Sequence, residues 1–287
     1  MIPLFKVLKA GVYGSIQDLG RTGYRRFGVP VSGAMDFHAF RLGNYILGND
    51  SNSPALEIFL GGIELEILAN HRIVITGADL GAKLDGRPVP NWKTFNIYQG
   101  QTLSLTRPIQ GSIAYIMPEG GFLSEELLGS SSVYPKGKLG LPLKKEMILF
   151  AREGKSGKFQ RGLCRSEIPE YSADLKVRIW PSPHWDRFQP DSLNEFFQSA
   201  YQLKGGDRMG YLLEGNPLKF LNGSDILSEA TQFGTIQVPN SGQPIILMAD
   251  AQTIGGYSTI GKIARDDLWK VVQLRRGGKV RFEKLRR

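Results

Sequence analysis

The sequence predicts a mainly β protein with a few helices. Short apolar or alternating runs recur along the chain, turn residues separate them, and helical periodicity surfaces in only three places. Many short, punctuated strands of this kind build barrels or sandwiches. A chain of 287 residues can bury a sizeable core in one or two domains.

In chain order, strands are expected at 5–8, 56–60, 63–68, 72–76, 94–98, 102–105 and 113–117, with turn signals at Asp85-Gly86 and around 98–101. A second set is expected at 147–150, 177–180, 211–213, 235–238, 245–248 and 280–282. Helices are expected at 35–47, which is amphipathic, at 192–200 and at 266–274. In the last, Asp266 and Asp267 suit the helix dipole, and Leu268, Val271 and Val272 form an apolar side. The interval 152–174 is charged, glycine-bearing and poor in periodic apolar residues, so it reads as a linker. It divides an N-terminal β-rich domain (1–151) from a C-terminal domain (175–287), although an N-terminal segment can still complete a later barrel.

Charge and composition narrow the function classes. The formal charge of +9 collects in 136–145, 152–165 and 275–287 without a nucleic-acid-binding signature. A solvated basic surface, or one that meets an acidic partner protein, is expected, and no nucleic-acid partner. No apolar stretch is long enough to span a bilayer, and the opening residues lack a signal-peptide block, so a cytoplasmic protein with no membrane association is expected. The single cysteine, Cys164, rules out an internal disulfide framework and reads as an incidental thiol. His38, His71 and His184 lack metal-ligand spacing, and no metal site is expected.

Candidate chemistry concentrates after the apolar run 244–249, which reads as a strand buried on both faces. Asp250, Gln252 and Thr253 then present an acid, an amide and a hydroxyl, Gly255-Gly256 allow a tight turn or a close approach, and Tyr257 follows. A strand ending in a plain Gly-Gly hairpin explains the same pattern. A second polar-glycine segment, 234–242, carries Gln237, and a third carries Asp207 and Arg208. Arginine suits carboxylate or phosphate recognition, and an adjacent Asp-Arg pair also suits a local brace. Near the N-terminus Gln17, Asp18, Arg21 and Asp36 occupy comparable segments, and Val29-Pro30-x-Ser32-Gly33 echoes Val238-Pro239-x-Ser241-Gly242. The echo suggests two related β domains, with no regular repeat period behind it. Neither a P-loop nor a Gly-x-Ser-x-Gly elbow is present.

Taken in order, the blocks 15–21, 28–36, 41–49, 56–57, 76–79, 120–121, 128–130, 183–184, 207–210, 228–229, 234–239, 243–250 and 252–257 resemble one family. It is called allophanate hydrolase subunit 2, KipA-like or the 5-oxoprolinase C subunit, and is also described as biotin-dependent carboxyltransferase-like. The chain departs from the family pattern at Ala251 (usually Arg), Ile254 (Thr), Ser182 (Gly) and Ser131 (Arg). The resemblance implies two cyclophilin-like β-barrel units, one in each half.

It also implies one component of an ATP-dependent 5-oxoprolinase, a lactam hydrolase converting 5-oxo-L-proline to L-glutamate with a KipI-like subunit and a LamB/YcsF-like subunit as partners, using ATP with Mg. On that reading Arg208 would bind a carboxylate or phosphate, Asp250 would orient a proton or a metal-bound nucleotide, and Gln237, Gln252 and Thr253 would position the amide. Gly255, Gly256, Tyr257, Asp207, Ser228 and His184 would line the substrate or nucleotide site. Gln17, Asp18, Arg21 and Asp36 would belong to the same cleft or to an interface between subunits, with structural turn roles equally open for Asp18 and Asp36. Two other readings stand beside it. One is the acceptor side of a biotin-dependent urea-type carboxyltransferase, with no covalently bound biotin because an Ala-Met-Lys-Met segment is lacking. The other is a non-enzymatic KipA-like regulator that binds a KipI-like kinase inhibitor.

Overall fold

A computed structural model describes residues 1–154 and 160–285. Part of the expected linker, 155–159, lies outside the described residues, as do the last two residues of the basic C-terminal run. The chain divides into two compact units, one of residues 1–21 and 32–171, the other of 22–31 and 172–287. The short segment 22–31 thus joins the second unit, without adding a strand to its barrel.

The first unit is built from two open sheets. A seven-stranded sheet runs, edge to edge, through Phe122–Leu123, Ile148–Ala151, Ile2–Ala10, Ile63–Ile67, Thr102–Leu105, Ala82–Leu84 and Arg87–Pro88. A five-stranded sheet runs through Tyr13–Gln17, Ala55–Phe59, Gln110–Pro118, His71–Asp79 and Phe95–Ile97. Period-two patterning decides which side faces inward: Ile63, Leu65 and Ile67 are buried while Glu64 and Glu66 between them are half-buried. Ile16, Leu56, Ile58, Ile73, Ile75, Ala114 and Ile116 from the five-stranded sheet share one core with Phe5, Val7, Leu65 and Leu103 from the seven-stranded sheet.

The helix Phe37–Leu47 packs on the central strands His71–Asp79 and Gln110–Pro118. Its expected start at 35 moves to Phe37 because the Asp36 carboxylate caps it, accepting the Ala39 N–H at 2.9 Å. Gly48 closes the other end in the left-handed region, with φ of 71°.

The second unit holds a closed barrel. Its order is Asp174–Pro181, Thr259–Ile263, Thr235–Gln237, Ile245–Leu247, Gly210–Glu214, Tyr201–Gly206 and Lys279–Lys284. Closure comes from the parallel pairing of the first strand with the last, Asp174 opposite Lys279 through Ile179 opposite Lys284. Leu175, Val177 and Ile179 point inward and alternate with exposed Asp174, Lys176 and Arg178. The helix Pro190–Gln198 lays Phe196 on Phe282, with ring centroids 4.7 Å apart.

The mainly β class holds, but two barrels do not form: among the described residues the second unit is a barrel and the first is not. The reason lies at the sheet edges. The seven-stranded sheet ends on two-residue strands, Phe122–Leu123 and Arg87–Pro88, and Pro88 has no N–H to donate. The five-stranded sheet ends on Tyr13–Gln17 and the three-residue strand Phe95–Ile97. Among the described residues no strand bridges the two edges of either sheet, as Lys279–Lys284 does in the barrel.

The third helix, Arg265–Val272, is pinned to the barrel through Asp267. Its carboxylate accepts the Arg178 backbone N–H at 3.0 Å, Nε–H at 2.7 Å and Nη2–H at 3.2 Å, with Lys270 adding a fourth donor. Burial pushes the Asp267 pKa up, but the hydrogen bonds from Arg178 and then Lys270 outweigh it and bring it down to about 2. A carboxylate depressed in the folded state stabilises above its unfolded pKa, near 3.8, and that contribution is lost as pH falls toward about 2. Wild-type protein is therefore expected to lose more urea resistance than Asp267→Asn between about pH 5 and about pH 2. Parallel slopes for the two proteins would remove Asp267 from the acid response.

Candidate functional site

Antiparallel pairing brings two distant polar segments to one end of the barrel. Residues 207–209 turn the hairpin between Tyr201–Gly206 and Gly210–Glu214, and Leu247 lies opposite Gly210. Asp250 therefore leaves its strand beside Arg208, and its N–H donates to the Arg208 carbonyl at 2.7 Å. The guanidinium donates from Nε to Asp250 Oδ2 at 2.8 Å and from Nη2 to Oδ1 at 2.9 Å. Both side chains are almost wholly buried (6% and 5% exposed). A bidentate fork in this setting braces two barrel connections. Asp207 accepts the Met209 N–H at 2.7 Å, closing the turn between the two strands.

Beyond Asp250 the chain enters a two-stranded ribbon, Asp225–Ala230 with Ile254–Tyr257. Gly255 and Gly256 are strand residues here, and neither adopts positive φ, so the alternative of a plain Gly-Gly hairpin is absent. The glycine at 255 serves close approach instead: a Cβ there would lie 2.3 Å from Gln237 Nε2. Gln237 itself is 3% exposed. Its Oε1 accepts from Gln252 Nε2 at 3.1 Å, while its own Nε2 is buried with no hydrogen-bond partner. A buried amide donor left unmatched costs about 1–3 kcal/mol, which a ligand acceptor at that position would recover.

Gln237 lines an open cleft of about 220 Å³ with Trp180, Glu229, Thr259, Tyr257 and Lys262 among its walls. Behind one wall stands His184. Its Nε2 lies 2.5 Å from Glu229 Oε1, and its Nδ1 receives the Thr259 backbone N–H at 3.2 Å. That backbone donor makes Nδ1 the acceptor, so Nε2 carries the proton directed at Glu229. On another wall the Lys262 ammonium donates to Gln232 Oε1. Burial, and then the nearby positive charge of Arg25, hold the Lys262 pKa below its ordinary value. Arg25 comes from segment 22–31 and donates to the carbonyls of Thr231 and Thr253.

The sequence-derived residues thus divide into groups. Gln237, Gly255 and Tyr257 line the cleft, Gln252 holds the Gln237 amide, and His184 supports Glu229. Ser228 and Gly256 lie in the ribbon, Ser228 Oγ 3.4 Å from the place a Gly256 Cβ would occupy. Thr253 is buried, and its carbonyl accepts the Thr231 N–H at 3.0 Å. Arg208 and Asp250 form the brace, outside the cleft lining.

Gln17, Asp18, Arg21 and Asp36 belong to the first unit and are buried there. Gln17 donates to Ser15 Oγ at 2.9 Å and the Val133 carbonyl at 3.1 Å. Asp18 accepts Ser130 Oγ–H at 2.7 Å, Ser132 Oγ–H at 2.5 Å and the N–H groups of Gly20 and Ser131. Arg21 donates to the Ser132 carbonyl. Asp36, besides its capping role, accepts from Tyr171 Oη at 3.2 Å. Sequence reasoning passes over Glu229, Thr259, Lys262 and Arg25 as site residues. Lys262 is readable in principle, since a lone cation between the buried Gly261 and Ile263 of one strand must point outward.

The cleft of the closed barrel thus combines an unmatched amide donor, a cation and a His-supported carboxylate. The chain belongs to the family described as carboxyltransferase domain, subdomain A and B, whose model matches residues 27–284. Within it the chain is a carboxyltransferase-like domain of the 5-oxoprolinase and urea carboxylase group. It is 37% identical over 292 residues to the C subunit of 5-oxoprolinase from Haemophilus influenzae, covering 98% of this chain and 91% of that protein. Identity to the Escherichia coli K12 counterpart, also a 5-oxoprolinase C subunit, is 34%, covering 97% and 90%. The solved structure of the K. lactis urea amidolyase superposes with a TM-score of 0.92 at 30% identity, covering 100% of this chain but only 19% of that one. No helix among the described residues is long and apolar enough to cross a membrane.

Proposed function

We propose that the cleft holds a small amide for chemistry at its carbonyl, as one component of a larger enzyme, and that this amide is the lactam of 5-oxo-L-proline. The observation that carries the proposal is Gln237, a buried side-chain donor with no partner at the cleft wall. Its N–H would hydrogen-bond the amide oxygen where negative charge develops as water attacks, and Gln252 fixes its orientation. Glu229, held by the His184 Nε2–H, is the carboxylate at hand to take a proton from that water and return it to the ring nitrogen as the C–N bond breaks. The lactam is favoured by length: the chain matches the 5-oxoprolinase C subunits almost end to end.

Carboxyl transfer to a urea-type acceptor is the second reading, and on the fold alone it is the better supported. The family description and the urea amidolyase superposition both lean to it. This cleft offers Mg a single carboxylate, Glu229, and that group is assigned to the attacking water. In this proposal the nucleotide chemistry of the assembly falls to the KipI-like and LamB/YcsF-like partners.

The test is reconstitution with those partners, following glutamate release from 5-oxoproline with and without ATP. A parallel reaction supplies urea and a carboxylated biotin carrier. ATP-dependent glutamate is expected. Carboxylation of urea without glutamate would establish the second reading, and stable association with neither reaction would leave the KipA-like regulatory role.

A further inference from the structure

We infer that Lys262, with Arg25 beside it, is the specificity-determining residue that selects a carboxylate on the ligand whose amide meets Gln237. The inference rests on the lactam reading and deepens it. Arg25 and Lys262 converge on adjacent residues, Thr231 and Gln232, and both take only neutral partners. Arg25 donates to two backbone carbonyls, and Lys262 to the side-chain oxygen of Gln232. Neither makes an ion pair among the described residues, while Lys6, Lys9, Arg72, Arg178 and Arg208 each pair with a carboxylate. The one carboxylate lining the cleft, Glu229, takes a hydrogen bond from His184 and pairs with neither cation.

Two neighbouring cations without a counter-ion repel each other, and an anion placed between them and solvent removes that penalty. The position is also right for a small ligand. Lys262 and Gln237 lie on adjacent antiparallel strands, with Lys262 opposite Thr235 and Gln237 opposite Thr259, and both side chains line the same cleft. A ligand with an amide at one end and a carboxylate at the other can satisfy the unmatched donor and the uncompensated charge together. A neutral amide such as urea satisfies only the first.

The test is calorimetric titration of the intact chain with 5-oxoproline and with pyrrolidin-2-one, the same lactam without its carboxylate. Wild-type protein is expected to prefer 5-oxoproline by roughly tenfold or more. Lys262→Met should abolish that preference and leave pyrrolidin-2-one affinity unchanged, Lys262→Arg should keep it, and Lys6→Met in the first unit should change nothing. Equal wild-type affinity for the two lactams, binding of neither, or a preference that survives Lys262→Met would overturn the inference. The reconstituted assembly separates this from the functional reading. Wild-type turnover by Lys262→Met would overturn the inference alone. A Lys262-dependent preference in an assembly that releases no glutamate would overturn only the lactam hydrolysis.

Discussion

Asp250→Ala is expected to cost about 3–5 kcal/mol of stability, because it strands the Arg208 guanidinium in a site where both partners are almost wholly buried. The effect is asymmetric. Removing both charges with Arg208→Met and Asp250→Leu should recover most of the loss, since apolar side chains of similar volume replace a buried pair at little net cost. Urea denaturation of the single and double variants measures both values, and a single variant of wild-type stability would contradict the assignment. A folded double variant should still bind ligand in the cleft, because Arg208 and Asp250 brace the barrel connections that lead to the ribbon. Lost binding in that folded variant would give the pair a direct role at the substrate.

Gly255→Ala should produce the largest functional loss from a single methyl group. The added Cβ would lie 2.3 Å from Gln237 Nε2, so the amide must move, and a displacement on the order of 1 Å at a positioning group costs about 100-fold in turnover. The neighbouring glycine supplies the control. A Cβ at Gly256 meets Ser228 Oγ at 3.4 Å, an ordinary contact, so Gly256→Ala should stay close to wild type. Turnover and ligand affinity for the two variants decide the matter: equal effects would show that ribbon packing, and not the Gln237 approach, sets the result.

The contrast between these glycines shows where the sequence is legible and where it is not. Alternation exposes the barrel strands, because one buried face leaves its period on any half-buried strand, as in Asp174–Pro181. Polar segments around Gln237, Arg208 and Asp250 stand out for the same reason, as breaks in that pattern. Their partnerships do not. Arg208 and Asp250 are 42 residues apart, and nothing local tells a mutual pair from two groups awaiting a ligand.

Barrel closure depends on Asp174 meeting Lys279, and the absence of closure in the first unit depends on edges as short as Arg87–Pro88. Both are tertiary facts. Gly255-Gly256 leaves turn and close approach both open, because glycine signals backbone freedom and close approach with the same letter. Segment 22–31 joins the second unit although chain on both sides of it belongs to the first, and no composition shift marks the crossing.

The central claim is that Gln237 presents its free amide donor to the reacting carbonyl. Glutamate release by the reconstituted assembly, compared between wild-type chain and Gln237→Leu of matched stability, tests it most directly. The account predicts a fall of about 100-fold or more in turnover with the partners still bound, the size expected when one preorganised donor is removed. Wild-type turnover by Gln237→Leu would contradict it.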